Sequence, residues 1–332
     1  MRSPATDGRR RADGPEARLE GFRGELIGYC YRMLGSAFEA EDAVQETLVR
    51  AWRGLDRFDA ARGSLRTWVY AIATNVCLDM LRSAQRRALA MDLAPAAHPG
   101  ADIGLPLPDS AWVQPIPDSL IFPLGGDPAD LVARRETVRL AFIAALQRLP
   151  PRQRATLILR DVLCWKADEV ARLLDTTVAS VTSALQRARS TLKAVEPPAA
   201  DPYDPADRVQ RDLLDRYCDA FERHDVDALV SLLHKDATTS MPPFLWWLRG
   251  RTGIREVLSA AELPCADARL VPTVANGSPA FGQYWPSEGG YRPFALLIVE
   301  VSGDVITSCT TYLETARPFP LFPLFGLPAE LP

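Results

Sequence analysis

The sequence predicts a multidomain chain, two all-α helical modules followed by an α+β domain. Three observations lead there. Up to about residue 195 the apolar residues recur at steps of three and four, the period of a helix with one inward face. Beyond about residue 236, short runs rich in Val, Thr, Tyr and Ile take over, as in strands. The sign of the charge also changes: Asp130 to Lys193 carries twelve Lys or Arg against six Asp or Glu, whereas residues 196 to 332 carry eleven against nineteen.

At 332 residues the chain has room for two or three cores, and its 47% apolar share with a net charge of -4 is that of a globular protein. No apolar run approaches the roughly 20 residues of a membrane span. The N-terminus, with Arg2, Arg9, Arg10 and Arg11 among Asp, Gly and Pro, lacks the apolar stretch of a secretory signal, so a cytoplasmic protein that contacts no membrane is expected. Six cysteines without a C-x-x-C and only three histidines give no metal site, and no cofactor is expected. Cys30 and Cys77 fall on apolar faces, as buried small hydrophobes do.

Residues 1–14 are basic and poor in apolar groups, which predicts disorder. From Glu16 a helix presents Leu26, Tyr29, Cys30, Met33 and Leu34 inward, and Gly35 closes it. A second helix, about Ala40 to Leu55, is expected to bury Val44, Leu48 and Trp52 and to leave Asp42, Gln45, Glu46 and Val49 outside. After the loop Phe58 to Gly63, a third turns Leu65, Trp68, Val69, Ile72, Ala73, Val76 and Met80 inward and ends in Arg82, Arg86 and Arg87.

Ala167 to Lys193 reads as two short helices broken at Asp175-Thr176-Thr177, with Thr176 or Thr177 capping the second. In that second helix Val178, Val181, Leu185, Ala188 and Leu192 form an apolar stripe, and Ser180, Ser183, Ala184 and Arg187 stand opposite, with Arg189 and Lys193 beyond. Helix, tight turn, capped helix and basic outer face make the pattern of a helix-turn-helix, whose second helix enters the major groove. The net charge of about +6 over Asp130 to Lys193 suits phosphate. Between the two helical stretches, Met91 to Ala129 holds five Asp, eight Pro and no Lys or Arg, which predicts an extended acidic linker.

Pro197, Pro198, Pro202 and Pro205 mark a further boundary. A helix from Asp207 to Arg223 and a shorter one through Leu233 precede five strand-like segments: 237–241, 268–275, 280–284, 294–301 and 305–312. Helices first and strands afterwards suggest a curved antiparallel sheet. Its acidity, about -8 net, makes this part a poor DNA binder.

The run Glu41-Asp42-Ala43-Val44-Gln45-Glu46-Thr47-Leu48 with Ala51-Trp52-Arg53, Phe58, Leu65-Arg66-Thr67-Trp68-Val69-Tyr70-Ala71-Ile72-Ala73-Thr74-Asn75, and Asp79 with Arg82, resembles region 2 of extracytoplasmic-function sigma factors of the sigma-70 family. Leu149-Pro150, Arg160-Asp161, Ala171, Val178, Val181, Ser183, Leu185 and Arg187-Ala188-Arg189 resemble their region 4. His224-Asp225-Val226-Asp227-Ala228-Leu229 and Trp247-Leu248-Arg249-Gly250-Arg251-Thr252-Gly253-Ile254 are similar to SnoaL-like domains, cone-shaped members of the NTF2-like superfold. These resemblances imply region 2 at 15–90, the linker at 91–129, region 4 at 130–195, a second linker at 196–205, the SnoaL-like domain at 206–316 and an apolar Pro-rich tail at 317–332.

The resemblance further implies a sigma factor that binds core RNA polymerase and directs promoter recognition, melting and initiation, regulated in cis by its last domain. Asp42, Gln45, Glu46 and Val49 then face the clamp of the polymerase's largest subunit. Phe58, Ile72, Ala73 and Asn75 surround a flipped base of the minus-10 element, while Arg82 and Arg86 follow them toward DNA. Ser183, Gln186 and Arg187 read the minus-35 element, with Ser180 on the same DNA-binding face and Arg187 able to donate two bonds to a guanine edge; Arg189 and Lys193 are expected on phosphate. Thr182 and Ala184 stand where the family commonly has basic side chains. The linker threads along the polymerase, where its acidity suits a basic channel.

In the cone, Trp246, Trp247, Tyr284 and Tyr312 are expected to wall a pocket for a small apolar ligand. Proton abstraction would need a base and an oxyanion donor, and no Asp-His pair stands on inward strand positions, so no enzyme is expected. Two other readings stay open, a free-standing helix-turn-helix regulator and an isomerase-like activity of the last domain. A regulator would need no helix like Glu41 to Trp52.

Overall fold

The computed structural model describes residues 15–61, 63–82, 86–122, 134–193, 200–260, 267–314 and 320–332. The expected disorder of residues 1–14 lies outside them. The chain forms two compact units. One holds the residues up to Gln85, Ser119–Gly125 and Ala145–Val195; the other holds Arg86–Asp118, Gly126–Ala144 and Glu196–Pro332.

The first unit is helical: α1 (Pro15–Glu20), α2 (Arg23–Leu34), α3 (Ala37–Gly54), α4 (Leu65–Met80), α5 (Pro151–Leu157), α6 (Ala167–Leu173) and α7 (Val178–Lys193). Gly35 ends α2 in the left-handed region, at φ 73°, and returns its amide to the Tyr31 carbonyl. The Ser36 hydroxyl caps α3 by accepting from the Glu39 amide, and Ser64 caps α4 through Thr67 in the same way. The core gathers Leu26, Tyr29, Met33 and Leu34 of α2, Val44 of α3 and Tyr70 of α4, all essentially without exposure. Each such side chain stabilises by roughly 1.5–3 kcal/mol relative to leaving it in water. The Tyr29 and Thr74 hydroxyls share a 2.7 Å bond, which satisfies the polar end of a buried ring.

Two burial expectations are corrected here. Trp52 is 58% exposed. The inward stripe of α3 runs Ala40, Ala43, Val44, Thr47 and Ala51, and Trp52 lies about 100° past its last member. Val178 is 47% exposed, because packing of α7 begins one turn later at Val181.

The second unit is built on one six-stranded sheet: β1 (Leu233–Ser240), β2 (Trp247–Arg249), β3 (Arg269–Ala275), β4 (Ser278–Ser287), β5 (Gly290–Ser302) and β6 (Val305–Leu313), in the order β2-β1-β6-β5-β4-β3. The sheet is mixed, which corrects the antiparallel expectation: β1 pairs with β6 in parallel. Strand β1 enters from a helical pair and not from a hairpin, so nothing obliges it to run against its neighbour. Strand β2, only three residues long, left no alternation to read.

One face of the sheet carries α8 (Arg208–Glu222), α9 (Val226–Ser231) and α10 (Arg251–Leu258), joined to it through Tyr217, Phe221, Leu229, Ile254, Phe281 and Leu297. The tail docks on this unit: α11 (Leu321–Leu324) sets Phe322 edge-on to Tyr284 at 5.0 Å, and Tyr284 donates to the Pro328 carbonyl at 2.8 Å. Gly282 leaves the room this needs, since a Cβ there would lie 2.7 Å from Leu327.

The segment expected as an extended acidic linker is folded largely into the second unit over its described residues. Trp112, Val113 and Ile116 are fully buried in the second unit, and Pro117 bridges to Ala275 of β3. The Asn276 side chain accepts from the Ile116 amide and donates to the Val138 carbonyl, at 3.0 and 2.7 Å. Apolar residues interspersed with the prolines carry the segment into a core, where extended backbone needs side-chain partners for its amides. Its aspartates hold local structure: Asp92 accepts from the Leu89 amide, Asp102 from that of Gly104, and Asp118 from that of Gly277.

Candidate nucleic-acid interface and cavity

The turn between α6 and α7 is set by Asp175, whose φ of 50° reverses the chain, and by the Thr177 hydroxyl, which accepts from the Ser180 amide at 3.1 Å. With Val181, Leu185 and Ala188 buried, Ser180, Ser183, Gln186, Arg187 and Lys193 are all exposed. That face offers hydroxyl, amide and guanidinium donors along one helix, the groups that read base edges and phosphates. Arg189 stands differently. It grips Asp161 with two bonds of 2.7 and 2.9 Å, a pairing that holds its guanidinium above the ordinary range. Its expected phosphate contact would require breaking that pair.

In the N-terminal helices, Asp42, Gln45 and Glu46 are exposed and Val49 is half-buried, so α3 presents them on its outer side. The four residues expected around a flipped base separate. Ala73 is fully buried, and it lies about 200° around α4 from the exposed Asn75, so the two cannot line one pocket. Ile72, half-buried, shares the Asn75 side. Phe58 packs on Trp68 at 5.3 Å and lines a small cavity of about 180 Å³ with Arg18, Leu55 and Leu65. Arg82 is exposed beside Asp79 at 3.3 Å, and Arg86 is exposed in the second unit.

Trp165 went unremarked in the sequence, where a lone Trp after Val162-Leu163-Cys164 carries no periodic signal. It follows a π-helical turn, Ile158–Val162, and the left-handed Cys164, which together swing its ring to 5.0 Å from Tyr70. Arg66 lies over both rings. Nearby the buried Arg154 donates to the Met33, Gln147 and Leu149 carbonyls and to the Gln147 side chain. The residues of α2 and α4 are thereby locked to those around α5 within one helical unit.

In the second unit, the helix-covered face of the sheet encloses a cavity of about 420 Å³. Of the four residues expected to wall it, Trp246 does so. Trp247 packs instead with Ala111 and Trp112 and donates to the Ala94 carbonyl, while Tyr284 meets the tail and Tyr312 donates to the Val113 carbonyl. The correction follows from the two-residue period of a strand: Leu248, Gln283 and Thr311 look into the cavity, so Trp247, Tyr284 and Tyr312 look away. Among the described lining residues there is no carboxylate, imidazole, Lys or Arg. Burial pushes the Cys309 thiol up, which keeps it protonated.

Family models match in the same order as these parts: Sigma-70 region 2 over residues 19–87, Sigma-70 region 4 over 139–192 and a SnoaL-like domain over 214–303. Over 335 aligned residues the chain is 43% identical to the ECF RNA polymerase sigma factor SigG of Mycobacterium tuberculosis (strain ATCC 25618 / H37Rv), covering 99% of this chain and 87% of that one. The chain belongs to the extracytoplasmic-function RNA polymerase sigma factors. This sigma factor is also 31% identical over 221 residues to SigJ of the same organism, across 66% of this chain and 62% of that one. The crystal structure of SigJ shares its fold, with a TM-score of 0.57 at 23% identity over 91% of this chain and 99% of that one. Among its described residues, no helix is long and apolar enough to cross a membrane.

Proposed function

We propose that this sigma factor binds core RNA polymerase in the cytoplasm through the outer face of α3, reads promoter DNA with α7, and is regulated in cis by its SnoaL-like unit. The similarity to SigG over 99% of the chain carries this reading. The exposed Asp42, Gln45 and Glu46 offer the polymerase clamp an acidic and amide-bearing surface, and Ser183, Gln186 and Arg187 offer the minus-35 element donors at helical spacing. Ile72 and Asn75 are the pair left to hold a base extruded from the minus-10 element.

Cis control is supported by the path of the chain. The described connection from region 2 to region 4 is folded largely into the SnoaL-like unit, so a change in that unit's packing would reach the segment that joins the two DNA-binding regions. A small apolar ligand in the cavity would supply its signal. The isomerase-like reading loses support from the cavity's lining, which among the described residues places no base within reach of a substrate.

The deciding experiment is in vitro transcription over a promoter library with purified core polymerase, comparing the full chain with one ending at Glu196. Promoter-dependent transcripts are expected from the full chain, with an altered yield from the shortened one. Equal yields would remove the cis control, and no association with core polymerase would remove the whole reading.

A further inference from the structure

The cavity of the SnoaL-like unit has two features that its volume alone would not suggest. The first is Gln283. Its side chain lines the cavity, only 2% of the residue is exposed, and among the described residues its Nε2 has no hydrogen-bond partner. A buried donor left unpaired costs free energy, and an amide set in a mainly apolar wall that includes Phe221, Leu297 and Trp246 is a donor awaiting an acceptor. Hydroxyls of Thr238, Thr239 and Ser240 stand along one strand of the wall, Ser240 bonded to the Thr310 hydroxyl, while the Tyr217 hydroxyl lies 3.9 Å from Cys309 Sγ, which lies 4.0 Å from the Thr311 hydroxyl.

The second feature is that the sheet and helices do not close the cavity alone. Pro99, Ala101 and Ile103, from the segment joining regions 2 and 4, complete its wall. That strap is fastened at its two ends by backbone bonds, from the Ala97 amide to the Trp247 carbonyl and from the Leu107 amide to the Pro243 carbonyl, both 2.8 Å. Between those fastenings Gly100, Ala101, Asp102 and Gly104 are exposed, while Pro99 and Ile103 are half-buried against the cavity.

We propose that this cavity binds a neutral, mainly apolar molecule bearing one hydrogen-bond-accepting oxygen, such as a lipophilic ketone or ester, with that oxygen on Gln283 Nε2 and its apolar body against Pro99 and Ile103. A charged molecule is disfavoured because the described lining holds no counter-charge. The volume, about 420 Å³, is that of a pocket for a drug-sized molecule. Occupancy adds contacts under the strap, so it tightens the very segment that connects the two DNA-binding regions. This deepens the ligand-responsive part of the proposed function and rests on it.

The test uses the full chain and a neutral naphthyl ketone dye, PRODAN, beside its analogue with a propyl chain in place of the propionyl group. Saturable binding at one site is expected, with the ketone preferred by roughly five- to tenfold, the worth of one neutral hydrogen bond to a buried donor. Gln283→Leu should keep the apolar binding and erase that preference. Ile103→Trp, which fills the cavity from the partly exposed strap, should block both probes. Hydrogen exchange at the Ala97 and Leu107 amides should slow when the dye is bound. No saturable binding, a preference unchanged in Gln283→Leu, or binding unaffected by Ile103→Trp would overturn the site; unchanged exchange at both amides would overturn the strap. None of these readouts involves polymerase, so their failure is distinct from the failure of cis control in the truncation experiment.

Discussion

The Arg66 guanidinium donates to the Glu25 carboxylate at 2.7 and 3.0 Å while lying 5.0 Å from the centre of the Trp165 ring. One side chain of α4 thus joins a carboxylate on α2 to an aromatic ring that belongs to the region 4 segment. A planar guanidinium does both at once, its edge toward the carboxylate and its face toward the ring.

Replacing Arg66 by Ala should therefore lower the unfolding free energy of the helical unit, measured by urea titration, by roughly 1 kcal/mol, the partly exposed ion pair and the cation–π contact each being modest. Arg66→Lys should recover little, since an ammonium offers no planar face. Full recovery by Lys would mean that charge alone matters there.

Arg154 should be far less forgiving. It is 4% exposed and its donors occupy three backbone carbonyls. Arg154→Met keeps the volume but leaves those carbonyls buried without partners, at a cost of about 3 kcal/mol or more. Thermal unfolding of the two variants side by side would show Arg154→Met lower than Arg66→Ala; the reverse order would contradict the geometry.

Asp118 makes stability depend on acidity. Burial raises its carboxyl from 3.8 to about 6, with the Gly277 amide and the Arg135 guanidinium opposing. The folded chain thus holds this proton more tightly than the unfolded chain. The contribution is full below the unfolded value of 3.8 and is lost as pH rises through about 6, on the order of 3 kcal/mol in all. Asp118→Asn keeps the shape without the titration, so unfolding free energy measured across this range should rise relative to the parent with increasing pH. A constant difference between the two would reject the assignment.

Promoter affinity should separate two arginines only two residues apart. Arg187→Ala should weaken binding about tenfold or more if it reads a guanine edge, and unequally across promoter sequences. Arg189→Ala should have the smaller effect, because Asp161 already occupies its guanidinium. Fluorescence anisotropy with a set of minus-35 duplexes at several salt concentrations would resolve the two; equal losses would show that the Asp161 pair opens on DNA.

Much of the helical part was legible from the residues alone. The stop at Gly35, the break at Asp175-Thr176-Thr177, the Thr177 cap and the inward Val181, Leu185 and Ala188 are local matters of backbone freedom and helical period, and they fall where the sequence puts them. The order of sigma regions and the contrast in charge were equally available. Tertiary structure alone decided what covers each face: that Trp52 stays exposed while Trp165 meets Tyr70, that Arg189 is taken by Asp161, and that the linker closes the SnoaL-like cavity. It also chose Gln283 over Tyr284 for the cavity, since alternation along a strand defines two faces without saying which one the helices will cover. Periodicity is written within a few residues, whereas the partner of a face comes from a segment a hundred or more residues away, and only the folded chain brings the two together.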